Sequence, residues 1–272
     1  MSTVTAKSSK FDLDQIRGFW TERAQQHGKS HAASWSDGHV IELEIDKIAS
    51  YLQTGDKVLD IGCANGYSTL ELARRAAIEI QGLDYVPEMI QQARRRLETA
   101  EDKCRARTSF AVGDITDLEL PSDSFDATVV IRVIINLENW ENQQQGLREA
   151  LRTVRPGGLL LLSEATIQGH EKLNAFRGEW GLPPIPEPAF NCYVDEQAVC
   201  EFLQPDAQLV EIANFASTYF VGTRVIKPMV AALMERDDLV ADPDTHWNRW
   251  FATLPAAGDY GTQKLFVFRK RT

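Results

Sequence analysis

Short apolar runs alternate with stretches of helical periodicity along most of the chain. Lys57-Val58-Leu59-Asp60-Ile61, Ala77 to Leu83, Ser109 to Gly113, Phe125 to Val133 and Leu159 to Glu164 are each five to nine residues long. Runs of that length with apolar residues at consecutive positions suit strands buried on both faces, as in a parallel sheet. Between them, Leu70, Ala73 and Ala77, then Met89, Ile90, Ala93 and Leu97 behind Pro87, and later Leu147, Leu151 and Val154, recur at helical intervals. This alternation predicts an α/β fold. A helix over residues 195–203 and strands over Gln208–Phe215 and Thr262–Arg269 complete it.

Ahead of the first strand, Phe11 to His27 reads as a helix stopped by Gly28. A second helix, capped by Asp37 or Gly38, places Ile41, Ile45, Ile48 and Leu52 on one stripe, and Thr54-Gly55-Asp56 ends it. The expected organisation is a disordered tail over residues 1–10, an N-terminal helical lid over 11–53, and a core over 54–272. Two departures from a minimal alternating fold stand out as insertions, at about 168–193 and 217–260.

The chemistry concentrates where strands end. After the first strand comes Gly62-Cys63-Ala64-Asn65-Gly66, followed by a helix start. Glycines there permit a sharp turn and close approach of backbone N–H groups to a ligand. Asp60 precedes the loop, Asp84 ends the second strand, where a carboxylate can accept both ribose hydroxyls, and Asp114 follows the third. A Gly-rich turn with an acid about twenty residues on is also the dinucleotide fingerprint, but that pattern needs glycine where Ala64 and Tyr67 stand.

With these acids, the Arg155-Pro156-Gly157-Gly158 turn and two closing strands, the chain from about Lys57 onward resembles the class I S-adenosylmethionine-dependent methyltransferases of small-molecule type. The resemblance implies a Rossmann-like, doubly wound seven-stranded sheet, six strands parallel and the last antiparallel. It implies that Gly62 and Gly66 line the methionine part of S-adenosyl-L-methionine, with Asp60, Cys63 and Ala64 also among the cofactor contacts, that Asp84 holds the ribose, and that Asp114 with Ile115 meets the adenine. Tyr85 and Met89 fall near the nucleoside, and Arg132 and Asn136 at the fourth strand's end face cofactor and acceptor. The N-terminal segment of the resembling enzymes closes over the cofactor, which makes Trp20 and Arg23 contact candidates, with Ser34 to Asp37 in the same lid. Ala64 replaces the family's middle glycine, a change expected to be tolerated if its φ stays negative.

Composition narrows the partners. With 29 Lys and Arg against 39 Asp and Glu, a net charge of −10 and a pI near 5.1 disfavour nucleic acid, whose binding relies on basic surface. Arg94-Arg95-Arg96 is expected on a solvated helix face. The Asp/Asn-Pro-Pro-aromatic motif of base-methylating relatives is replaced by Arg-Val-Ile-Ile-Asn-Leu. No apolar run reaches the roughly 20 residues that span a bilayer, no signal peptide opens the chain, and Cys63, Cys104, Cys192 and Cys200 lack metal spacing. A cytoplasmic monomer or homodimer without membrane, metal or nucleic acid is expected.

The expected reaction is transfer of a methyl group to a small organic acceptor, by O- or N-methylation of a natural-product or sugar intermediate, leaving S-adenosyl-L-homocysteine. C-methylation of a small metabolite and nicotinamide-dependent oxidoreduction are the alternatives. Specificity is assigned to the two insertions, with Tyr219, Tyr260 and His246 as pocket candidates, and Glu164, His170 or His246 as the base a hydroxyl acceptor would need.

Overall fold

The computed structural model describes Ser9, residues 11–236 and residues 238–272. The expected disordered tail therefore lies outside the described residues, apart from Ser9, whose N–H donates to the Glu138 carbonyl at 2.7 Å.

Seven strands form one sheet: β1 (Lys57–Ile61), β2 (Glu79–Asp84), β3 (Thr108–Val112), β4 (Phe125–Ile131), β5 (Val154–Ala165), β6 (Ala207–Ala213) and β7 (Gln263–Lys270). Their order is β3-β2-β1-β4-β5-β7-β6, with β7 antiparallel to both neighbours and the pairings from β3 through β5 parallel. The chain reverses direction across the sheet between β1 and β4, and the carboxyl ends of adjacent strands open a crevice there.

The apolar runs divide by alternation. Val58, Ile80, Val129, Leu161 and Val267 face one core, with Ile41, Ile45 and Ile48, whereas Leu59, Ile61, Val130, Leu162 and Phe268 face the other, with Leu147 and Leu151. A strand covered on both sides has no polar face, which is why these segments are continuous hydrophobic runs. Each fully buried side chain of this kind contributes roughly 1.5–3 kcal/mol.

The helices follow their signals. α1 (Leu13–His27) starts at a capping box in which Asp12 accepts from the Gln15 N–H, and ends at Gly28 with φ 51°. α2 (Gly38–Ala49) is capped by Asp37, α3 (Tyr67–Arg75) begins at Gly66, and α4 (Pro87–Glu98) carries its proline in the first turn. The short α5 (Asp102–Arg105) and then α6 (Trp140–Thr153) complete the layers around β3 and β4.

The first insertion is α7 (Ile167–Glu179) and a Pro-rich extended segment, after which α8 (Glu196–Leu203) returns the chain to β6. The second is helical: α9 (Ser217–Val221), one π-helical turn over Gly222–Ile226, α10 (Lys227–Leu233), α11 (Asp238–Ala241) and α12 (His246–Ala252). It docks on the start of α2, where Asp37 accepts from the Tyr219 hydroxyl at 2.8 Å and pairs with Arg224 at 2.7 Å.

Candidate active site

The loop leaving β1 is left-handed at three of its five residues, Gly62 (φ 74°), Ala64 (φ 47°) and Gly66 (φ 74°). A Cβ on Gly62 would sit 2.1 Å from Val133 Cγ2, and one on Gly66 2.7 Å from Phe110 Cζ, so space as well as backbone demands glycine at both. Ala64 departs from expectation, because its φ is positive. Its N–H donates to Asp84 Oδ2 at 2.9 Å, and that bond holds the alanine in a conformation its Cβ disfavours. The Asn65 amide donates to the carbonyls of Gly28 and Ser30 at 2.8 and 2.7 Å, joining the loop to the end of α1.

Two acids line the floor. Asp60 is 1% exposed and accepts from Thr69 Oγ1 at 2.6 Å; burial pushes its carboxyl up to about 6 against that bond, with the Asp84 charge adding to the rise. Asp84, 7% exposed, is likewise pushed up to about 6 by burial, opposed by the N–H groups of Val86 and Ala64. The third acid, Asp114, is exposed at the cleft edge and binds the Thr116 N–H at 2.8 Å. Beneath the loop, burial drives the Cys63 thiol well above its ordinary range, so it acts as packing.

These groups line a cleft of about 290 Å³, of the size that takes a small organic molecule. Its walls include Gly62, Cys63, Ala64, Asp84, Tyr85, Met89, Asp114, Ile115, Arg132 and Asn136. Over it lies α1, which contributes Leu13, Arg17 and Trp20 at i, i+4 and i+7. Arg17 donates to the Tyr85 carbonyl at 3.1 Å and lies 5.7 Å from the centre of that ring. At the rim, Phe190 of the Pro-rich segment packs on Phe19 and Trp20, with centroids 4.6 and 6.0 Å apart.

The end of β4 is held from below. Glu164 is fully buried, and its carboxylate accepts the N–H groups of Val133, Ile134 and Ile135 at 2.9, 2.8 and 3.4 Å. Burial pushes it up to about 8, and the three donors pull the other way. Asn136 Nδ2 donates to the Arg132 carbonyl at 2.7 Å, while its buried Oδ1 has no partner.

Several expected site residues are elsewhere. The Arg23 guanidinium turns to the carbonyls of Ala32 and Ala33, tying α1 to the following turn, and Arg23 does not line the cleft. Glu164 serves the backbone, not the cleft. His170 packs edge-on to Tyr193 and contacts Asn174, and His246 is an exposed first residue of α12; neither lines the cleft. Tyr219 is buried on Asp37, and Tyr260 packs on Phe176. Among the described residues the cleft lining ends at Leu137; the second insertion packs on the start of α2, and the first approaches the site at Phe190, which packs on Trp20. The arginine run is not a plain solvated face: Arg94 reaches the Phe110 carbonyl of β3 at 3.0 Å, and Arg96 braces the glycine loop at the Asn65 carbonyl, 3.1 Å away.

Residues overlooked in the sequence are Arg17, Asn65, Tyr67 and Glu44. Arg17 had a signal, its position one helical turn from Trp20 on the same face. Glu44 had another: it is a charge set inside the apolar stripe of α2, between Ile41 and Ile45, and it is 0% exposed. Among the described residues no group of three His, Cys, Asp or Glu is placed to hold a metal ion, and no helix is long and apolar enough to cross a membrane.

A family model described as a methyltransferase domain matches residues 58–158. Methyltransferase GfsG of Streptomyces halstedii is 32% identical over 123 residues, 43% of this chain and 41% of that protein. The 27-O-demethylrifamycin SV methyltransferase of Amycolatopsis mediterranei is 30% identical over 159 residues, 56% of this chain and 53% of that one. The chain thus spans about half the length of these relatives, or less. In fold it is similar to magnesium protoporphyrin IX methyltransferase of Synechocystis PCC 6803, with TM-score 0.61, 13% identity, and coverage of 96% and 100% of the two chains.

The cleft fits the family's cofactor on its own geometry. Glycine loop positions are filled only without a Cβ, a buried acid ends β2, and an orphaned acceptor, Asn136 Oδ1, lies in the wall. Residues 58–158 thus match a methyltransferase domain, set in a sheet of the same fold as these enzymes.

Proposed function

We propose that the chain moves the sulfonium methyl of S-adenosyl-L-methionine to a small organic acceptor, by O- or N-methylation of a natural-product or sugar intermediate. The observation that carries this reading is the buried Asp84 carboxylate, joined to the glycine loop by the Ala64 N–H and lining the same cleft as Asp114, Ile115 and Asn136. Its remaining lone pairs are the acceptors for a ribose diol.

When bound, the cofactor supplies a methyl carbon already activated by the sulfonium charge. The chain's own contribution is orientation and exclusion of water. Asp84 fixes the ribose, Ile115 and Tyr85 flank the base, and Gly62 to Gly66 carry the amino-acid end. Trp20 and the rim residue Phe190 cover the opening. Val133, Arg132 and Asn136 present the acceptor side from the end of β4.

Among the described residues no histidine or lysine lines the cleft, and Glu164, His170 and His246 are held elsewhere. This supports an acceptor that brings its own lone pair, such as an amine or an ionised hydroxyl. An acidic carbon meets the same condition, so C-methylation is the second reading. The insertions then set access to the site from outside it. We place this activity in a cytoplasmic protein working as a monomer or homodimer without nucleic acid.

The test is calorimetry with S-adenosyl-L-homocysteine and with NADH, followed by a screen for transfer of labelled methyl to small amines, phenols and sugars. Binding of S-adenosyl-L-homocysteine alone is expected. Binding of NADH alone would replace this reading with oxidoreduction.

A further inference from the structure

One side chain in the cleft is built more elaborately than the reading so far requires. Arg132 follows β4 with φ 55°, in the left-handed region that residues with a Cβ rarely occupy. Its N–H donates to the Ser163 carbonyl at 2.8 Å, and its own carbonyl accepts from Asn136 Nδ2 at 2.7 Å, so the peptide is held from both sides. The twist sends the side chain toward α2. There Nη1 pairs with Glu44 Oε2, and the guanidinium lies 5.0 Å from the centre of the Trp35 ring.

Glu44 is committed on its other side as well, because Oε1 accepts from Ser163 Oγ at 2.5 Å and from Gln263 Nε2 at 3.3 Å. The carboxylate is thus a fixed anchor reached from α2, β5 and β7, and it can hold the guanidinium by one corner only. Nε–H and Nη2 remain without a protein partner among the described residues, and neither is a buried orphan. Together they are the side-on edge of the fork, the one that forms two parallel bonds to a carboxylate. The side chain keeps 15% of its exposure and lines the cleft.

We infer that Arg132, fixed by Glu44 and Trp35, is an oxyanion subsite at the β4 end of the cleft, taking a carboxylate or similar planar oxyanion through Nε–H and Nη2. The inference rests on the proposed methyl transfer and deepens it. Two sources share this chemistry: the amino-acid carboxylate of the cofactor, and an anionic oxygen on the acceptor. Arg17, the other arginine of the lining, is engaged with Tyr85 at the far side, whereas Asp14, Asp60, Asp84 and Asp114 would repel an anion everywhere else in the cleft.

Calorimetry on the full chain separates the sources. S-adenosyl-L-homocysteine, 5′-methylthioadenosine, which lacks the amino-acid group, and benzoate against benzamide on the S-adenosyl-L-homocysteine-loaded protein are the probes. Arg132→Met leaves Glu44 buried without its cation, so Arg132→Met/Glu44→Gln and Arg132→Lys are measured beside it, each checked for a native thermal transition. If the site takes the cofactor carboxylate, the variants bind S-adenosyl-L-homocysteine about 10- to 100-fold more weakly and 5′-methylthioadenosine unchanged. If it takes the acceptor, S-adenosyl-L-homocysteine affinity holds, and the wild-type preference for benzoate over benzamide disappears. Unchanged affinities for every probe, or equal losses for S-adenosyl-L-homocysteine and 5′-methylthioadenosine, overturn the inference. Failure of the wild-type chain to bind S-adenosyl-L-homocysteine would instead overturn the proposed function.

Discussion

The Ala64 N–H donates to Asp84 Oδ2 at 2.9 Å, so a single bond fixes both the glycine loop and the tip of β2. Asp84→Ala removes the proposed ribose acceptor and releases the loop together. Affinity for S-adenosyl-L-homocysteine is expected to fall at least about 100-fold by calorimetry. An unchanged Kd would remove Asp84 from the site. Ala64→Gly relieves the left-handed alanine but loosens the unfolded chain, so a net stabilisation of up to about 1 kcal/mol is expected in urea titration.

Gly62→Ala meets Val133 Cγ2 at 2.1 Å, whereas Gly157→Ala, also at positive φ (78°), has nothing within 4 Å. The first should cost about 1–3 kcal/mol more than the second, through overpacking on top of backbone strain. It should also abolish cofactor binding, while Gly157→Ala retains it. Equal stabilities would show that Val133 gives way freely.

Glu164 caps three successive N–H groups under the cleft. Glu164→Ala leaves buried donors unsatisfied and is expected to cost about 2–4 kcal/mol, with Glu164→Gln intermediate because one oxygen remains to accept. Chemical denaturation measures this. A Glu164→Gln protein that keeps full stability but loses methyl transfer would restore Glu164 to a catalytic role.

The pH dependence has two signs. Asp60 and Asp84 are each held near 6, above the ordinary 3.8. For folding, such acids keep their protons longer in the native state, so their contribution is present at low pH and is lost as pH rises from about 4 through 6. Asp60→Asn, which still accepts from Thr69, should therefore gain about 2–3 kcal/mol at pH 8 and little at pH 4. For binding, the ribose hydroxyls need the Asp84 carboxylate, so S-adenosyl-L-homocysteine affinity should decline below about pH 6 and be level above it. A flat calorimetric profile from pH 5 to 8 would contradict that assignment.

Much of the scaffold was legible because the central strands are covered on both faces and write themselves as unbroken apolar runs. The acids at Asp60, Asp84 and Asp114 were legible because a strand end in an α/β sheet is a defined place. Glu164 was not, since its partners lie some thirty residues away in the turn just past β4 and become neighbours only through strand pairing. His170 and His246 carried reactive groups but no positional signal, and their helices turn out to stand clear of the cleft. The handedness of Ala64 depends on one tertiary hydrogen bond that composition cannot reveal. Arg94 and Arg96 flank the buried stripe of α4 on opposite sides, which helical spacing alone would have shown had charge not suggested solvent.

The Asn65 amide, shared between the Gly28 and Ser30 carbonyls, makes the N-terminal segment a mechanical extension of the cofactor loop. Any molecule that quiets the loop must also slow fraying of the chain at residues 28–30, by the same free energy read at a second location. Limited proteolysis near that junction should therefore be suppressed by S-adenosyl-L-homocysteine in the wild-type chain and not in Asn65→Ala. A cleavage rate indifferent to ligand would mean that the two segments move independently.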